Sequence, residues 1–153
     1  MPATPVPHLN FHGSARDALD FYATAFDGTA VIRTYAEFGM PAHAPDAQSV
    51  VYGQVFSNSG FTLMAYDVPG ASGDSPALSG SARRLDGTTI TDQTFFLALS
   101  GDSLDEVTAY WDALLGGATI VEPLAASAWS PGFGMLTDRF GVTWAISVTA
   151  SQS

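Results

Sequence analysis

Cysteine is absent from this chain, and so is lysine. The first absence excludes disulfides, thiolate zinc sites and cysteine nucleophiles. The second excludes a Schiff-base lysine and a phosphate-loop lysine. Positive charge is scarce: five arginines (Arg16, Arg33, Arg83, Arg84 and Arg139) stand against 15 acids, and the net charge of −10 would repel nucleic acid and anionic lipid. No nucleic-acid partner is expected. Long hydrophobic runs are also missing. Gly, Pro, Ser and Asp break the apolar residues into short stretches, none near the roughly 18 consecutive apolar residues of a membrane helix. Met1 to Pro7 lacks the basic and apolar stretches of a signal peptide. The expectation is a cytoplasmic, soluble protein with no membrane partner, and the length of 153 residues suits one domain, 1–153, with its own core.

What is present is a repeat. His12-Gly13-Ser14-Ala15-Arg16-Asp17-Ala18-Leu19-Asp20-Phe21-Tyr22, with Phe26, Gly28 and Val31-Ile32 beyond it, matches Gly101 to Trp111 followed by Leu115, Gly117 and Ile120-Val121, at a constant separation of 89 positions. Tyr52-Gly53-Gln54-Val55 and Gly60-Phe61-Thr62 match Phe133-Gly134-Met135-Leu136 and Gly141-Val142-Thr143 at a separation of 81. The first copy therefore holds eight extra residues, which Glu37 to Gln48 can accommodate.

Within each copy Ser14 and Ser103 read as helix N-caps, with an acid (Asp17, Glu106) three residues on, and Gly28 and Gly117 read as stops. Apolar residues at helical spacing (Ala15, Ala18, Leu19, Tyr22, Phe26; Leu104, Val107, Trp111, Leu115) predict one amphipathic helix per copy. Strands are expected at Pro7 to Phe11 and Thr94 to Leu99 before the helices. After them they are expected at Thr29 to Phe38, Val50 to Ser57 and Phe61 to Asp67 in the first copy, and at Thr119 to Pro123, Gly132 to Thr137 and Thr143 to Val148 in the second. This makes two βαβββ modules, 5–67 and 92–149. Val68 to Thr91, aperiodic and rich in Gly, Ser and Pro, reads as a flexible linker.

Tandem βαβββ units resemble the vicinal oxygen chelate superfamily of glyoxalase I, bleomycin-resistance proteins and extradiol dioxygenases. Pro7-His8-Leu9-Asn10-Phe11-His12-Gly13 with Ala18 to Tyr22, and the closing Gly134-Met135-Leu136-Thr137-Asp138-Arg139-Phe140-Gly141-Val142-Thr143-Trp144, are similar to its PhnB-like branch. The resemblance implies an α+β fold in which two tandem βαβββ modules with curled mixed sheets form a cavity, and a homodimer that completes its barrels between subunits. It also implies one metal ligand on the first and last strand of each module. Those positions map onto Pro7 and Phe96, onto Ala145, and onto Leu63 or Met64. None is a suitable ligand for a hard or borderline cation, so no metal and no cofactor is expected.

Other chemistry finds little support. His8 and His12 on an extended strand would stand roughly 13 Å apart at about 3.3 Å per residue, too far for one ion. His43 could join Glu37 or Asp46 only within the extra loop. No Gly-x-Ser-x-Gly elbow occurs in a strand-to-helix setting. Some PhnB-like proteins carry a methyltransferase name, but the glycine-rich turn of a Rossmann methyltransferase is missing. Asp138 reads as a turn former. The expected pocket is apolar, lined by Leu9, Phe11, Leu63, Phe96, Ala145, Trp129 and Met135, with Tyr35, Glu37, Tyr52 and Tyr66 as polar candidates. The function expected is metal-independent binding of a small-molecule ligand. The alternative is a lyase/isomerase or dioxygenase of glyoxalase type, with a non-standard or metal-free site using Tyr35, Glu37 or Asp67 as base.

Overall fold

The first unit opens on strand β1 (His8–Phe11), passes through helix α1 (Ala15–Ala25), and continues as β2 (Gly28–Thr34), β3 (Val50–Ser57) and β4 (Thr62–Asp67). A short hairpin follows, β5 (Ala82–Leu85) and β6 (Thr88–Thr91). The pattern then repeats as β7 (Leu97–Gly101), α2 (Leu104–Leu114), β8 (Thr119–Ala125), β9 (Phe133–Thr137) and β10 (Thr143–Val148). The computed structural model describes residues 3–70 and 81–149, and the chain divides into two units, Met1–Ser75 and Pro76–Ser153. The first sheet has the order β1-β4-β3-β2 and the second β7-β10-β9-β8. In each, the first strand runs parallel to the last and the other neighbours are antiparallel. Both sheets are open rather than closed into barrels. The architecture is the expected mixed α+β fold of two βαβββ modules.

Each helix lies on one face of its own sheet because its apolar residues recur every three or four positions. Ala15, Ala18, Leu19 and Tyr22 bury the inner face of α1, and Val107, Trp111 and Leu114 that of α2. Full burial of side chains such as Leu19 or Leu114 stabilises the fold by about 1.5–3 kcal/mol each. Matching glycines allow this approach. A methyl at Gly53 would meet Leu19 Cδ1 and the Ala65 carbonyl, and one at Gly134 would meet the Trp111 ring and the Leu124 backbone.

The two helix starts are secured differently. Ser103 behaves as its sequence suggests, accepting a hydrogen bond from the Glu106 amide at 3.2 Å. Ser14 makes no such bond. In its place Asp67, only 3 % exposed, accepts from the amides of Gly13 (2.8 Å) and Ala15 (3.0 Å) through Oδ1 and from Val50 (2.9 Å) through Oδ2. One side chain at the end of β4 thereby ties the start of α1 to the start of β3.

The turn before α1 is also one residue longer than the turn before α2, with Gly13 at φ 112°. The helices and last strands repeat at separations of 89 and 81, as the sequence predicts. The first strands do not. Leu9 pairs with Ala65 and Leu99 with Ile146, so β1 maps onto β7 at 90 positions, not 89.

Three expected elements are corrected. The strand expected at Thr94 to Leu99 starts later, at Leu97. The one expected at Thr29 to Phe38 ends at Thr34, because Tyr35 to Phe38 turns into a single 3-10 helical turn. The flexible linker from Val68 to Thr91 contains the hairpin β5–β6, whose turn residues Asp86 and Gly87 have φ of 50° and 79°. Two successive positive φ values define the tight hairpin turn that Asp-Gly favours. The remaining linker residues, 71–80, lie outside the described residues.

Candidate functional site

Strand alternation gives each sheet a helix face and an open face. In the first unit Leu9, Val55, Leu63 and Ala65 fall on the α1 side and are buried. The open face carries His8, Asn10, Tyr52, Gln54, Met64 and Tyr66: His8 pairs with Met64, Asn10 with Tyr66, and Gln54 with Met64. His8 Nδ1 lies 3.0 Å from Asn10 Oδ1, and its ring meets the Tyr66 ring edge-on at 5.3 Å. The Tyr52 hydroxyl donates to Gln54 Oε1 at 2.6 Å. In the second unit Ala98, Ala145, Met135 and Glu122 share the open face, opposite Gly134 and the helix.

This geometry redistributes the residues expected to line a pocket. Leu9, Phe11 and Leu63 are core residues, and Leu9 and Leu63 face α1. Tyr52 and Ala145 lie on the faces turned away from the helices, and Met135, on that face of the second sheet, is buried with Thr89 of the hairpin against its sulfur. Phe96 precedes β7 and is half-buried, while Trp129 is 59 % exposed in the loop between β8 and β9. His8, a neighbour of Met64, was missed as a face residue. The family resemblance placed Pro7 at the site and the separation of 89 carried it to Phe96, and a slip of one position moves a strand residue to the opposite face.

The register shows which side chains stand side by side on the first and last strand of each unit. Met64 and Ala145 are equivalent on the last strands, and their parallel partners on the first strands are His8 and Ala98. Of the expected positions Pro7, Phe96, Ala145 and Leu63 or Met64, the pairing keeps Ala145 and Met64 equivalent and sets His8 and Ala98, not Pro7 and Phe96, beside them. One imidazole, one thioether and two methyl groups do not fit a divalent cation, which needs several nitrogen, oxygen or thiolate donors. Among the described residues no three His, Cys, Asp or Glu side chains come together in a way that could hold a metal ion. His43 is exposed in the extra loop, and the Asp46 carboxyl there accepts from the Gly70 amide.

The three candidate bases are tied to the backbone. Asp67 holds three amides, as described above. The Tyr35 hydroxyl donates to the Asp67 carbonyl at 2.6 Å; desolvation, with Tyr66, Asp67 and Asp46 nearby, pushes its pKa above the ordinary tyrosine value. The exposed Glu37 carboxylate accepts from the Thr34 amide at 2.7 Å while the Thr34 hydroxyl accepts from the Glu37 amide. That amide bond holds Glu37 below the usual carboxylate range. These directions move Tyr35 and Glu37 away from neutrality, where a general base works best. Asp138 likewise serves its turn, accepting from the Phe140 and Val142 amides and from Trp144 Nε1.

The hairpin brings one further group to the second unit. Arg84 lies over the Phe133 ring, its guanidinium carbon 5.1 Å from the centroid, and Trp129 packs against the same ring at 5.0 Å. Arg84 Nη1 donates to Thr89 Oγ1 at 2.9 Å, and that hydroxyl lies 3.5 Å from Met135 Sδ. Glu122 Oε2 is 3.9 Å from Arg84 Nε. The sequence signal for this cluster was Asp86-Gly87 between two short β-prone runs, Ala82 to Leu85 and Thr88 to Thr91.

Comparison with known proteins agrees with this fold. The family model described as Glyoxalase/Bleomycin resistance protein/Dioxygenase superfamily matches residues 7–146. Protein YjdN of Escherichia coli is 27 % identical over 149 residues, covering 95 % of each chain. The crystal structure of PA1353 from Pseudomonas aeruginosa superposes with a TM-score of 0.72 at 26 % identity, covering 96 % of this chain and 98 % of that one. A PhnB protein from Bacillus cereus gives a TM-score of 0.68 at 22 % identity, covering 96 % and 100 %, a likeness of fold.

Proposed function

Since the chain belongs to the glyoxalase/bleomycin resistance protein/dioxygenase superfamily, we propose that within it this protein is a metal-independent binder of a small organic molecule. What supports the reading is that His8, Met64, Ala98 and Ala145 stand paired on the first and last strands of the two units, the strands on which the family resemblance expects metal ligands. Apolar side chains at three of the four favour contact with an organic ligand over coordination of an ion. The open face of the first unit adds aromatic and amide groups suited to orienting such a ligand. Enzymatic acid–base chemistry is less favoured, because Tyr35, Glu37 and Asp67 are already committed to backbone hydrogen bonds.

The reading also takes the protein as cytoplasmic and as a homodimer. Light scattering should then give twice the chain mass of 16.0 kDa. The binding claim is tested by ligand-observed NMR with a library of aromatic and aliphatic metabolite-like fragments, with a chelator present throughout. Hits whose binding weakens in Tyr52→Ala or Met64→Ala are expected. A library without hits, or hits that require added metal, would contradict it.

A further inference from the structure

We infer that Arg84, with Phe133 and Trp129, forms a binding site for the carboxylate of an aromatic small molecule on the open face of the second unit. The inference rests on the small-molecule reading above and specifies the ligand's chemistry. Of the five arginines, Arg84 alone is not exposed. Its guanidinium carries five N–H donors, yet among the described residues its one hydrogen-bond acceptor is Thr89 Oγ1, and its Nε is buried without a partner. Glu122 stands 3.9 Å away, beyond hydrogen-bond reach, and its side chain is 40 % exposed, so it can turn toward solvent.

A buried donor left unpaired costs stability, and such groups in folded proteins call for an explanation. Here the surroundings supply one. The guanidinium lies over the Phe133 ring, Trp129 extends the aromatic wall while remaining 59 % exposed, and Thr89 accepts from the fork at Nη1. A planar ring can lie against Trp129 while its carboxylate oxygens meet the arginine fork, the geometry in which arginine binds carboxylates best. One cation suits a monoanion. A dianion would leave a charge unmatched beside Glu122 in a chain of net charge −10.

The test is calorimetric titration of the full chain with 2-naphthoate and its neutral counterpart 2-naphthylmethanol, using wild type, Arg84→Gln and Glu122→Gln, each checked for folding by circular dichroism. Wild type is expected to prefer the carboxylate by about tenfold or more. Arg84→Gln should abolish the preference while retaining the alcohol. Glu122→Gln should tighten naphthoate several-fold and leave the alcohol unchanged, a gain that a purely structural role for Arg84 does not produce and that can be read even if Arg84→Gln fails to fold. Equal affinities in wild type, or a preference that survives Arg84→Gln, would overturn the anion site and leave small-molecule binding intact. No binding of either compound to wild type or Glu122→Gln would also overturn it. The broader function falls only if the fragment library is silent as well.

Discussion

Replacing Asp67 should damage the first unit far more than its size suggests. Its carboxyl receives three backbone amides, of which Ala15 and Val50 are in buried contacts and Gly13 in a part-buried one. Asp67→Ala strands at least two buried N–H groups at about 1–3 kcal/mol each, and water can reach the Gly13 amide. A loss of about 3–5 kcal/mol is expected, the range for breaking a buried polar network. Asp67→Asn keeps one acceptor oxygen and should lose about 1–3 kcal/mol. Urea unfolding followed by far-UV circular dichroism measures this, because all three tryptophans (Trp111, Trp129, Trp144) lie in the second unit and their fluorescence would miss α1. Two controls sharpen the argument. Ser103→Ala should cost about 1 kcal/mol, whereas Ser14→Ala should stay within about 0.5 kcal/mol. A loss below about 1 kcal/mol in Asp67→Ala, or equal costs at the two serines, would refute the assignment of Asp67 as the cap of α1.

Other expectations follow from the same contacts. Gly53→Ala places a methyl against Leu19 and the Ala65 carbonyl and should cost about 1–3 kcal/mol by overpacking, read as a lower urea midpoint. Gly87→Ala forces an L side chain to φ 79° at about 1–2 kcal/mol, enough to speed proteolysis of the hairpin roughly 5–30-fold. Tyr35 has a folded pKa raised above 10.0, so its contribution is complete below the unfolded pKa and is lost as pH rises through the folded one. Tyr35→Phe should therefore flatten the alkaline fall in stability above about pH 10, at a neutral-pH cost near 1 kcal/mol for the lost hydrogen bond.

The repeat made most of the fold legible. Helix bounds Ala15–Ala25 and Leu104–Leu114, and strands Thr62–Asp67 and Thr143–Val148, repeat at the separations seen in the sequence, because apolar periodicity and the glycines beneath each helix act locally. The site was less legible. The extra residue before α1 is invisible in the helix match, yet it shifts β1 by one position, so that His8 and not Pro7 pairs with Met64. Ser14 looks like Ser103 in sequence, but the tertiary contact from Asp67, 52 residues away from Ala15, displaces it. The hairpin was missed for another reason: its Asp-Gly turn sits in a Ser- and Gly-rich stretch, where composition outweighed the turn signal.

Metal independence is tested by the metal content of protein purified without chelator and then offered Ni²⁺, Zn²⁺, Fe²⁺ and Mn²⁺, determined by mass spectrometry beside a His8→Ala variant. Well under one equivalent of any metal is expected, with wild type and variant alike. Near-stoichiometric metal in the wild type that is lost in His8→Ala would contradict it.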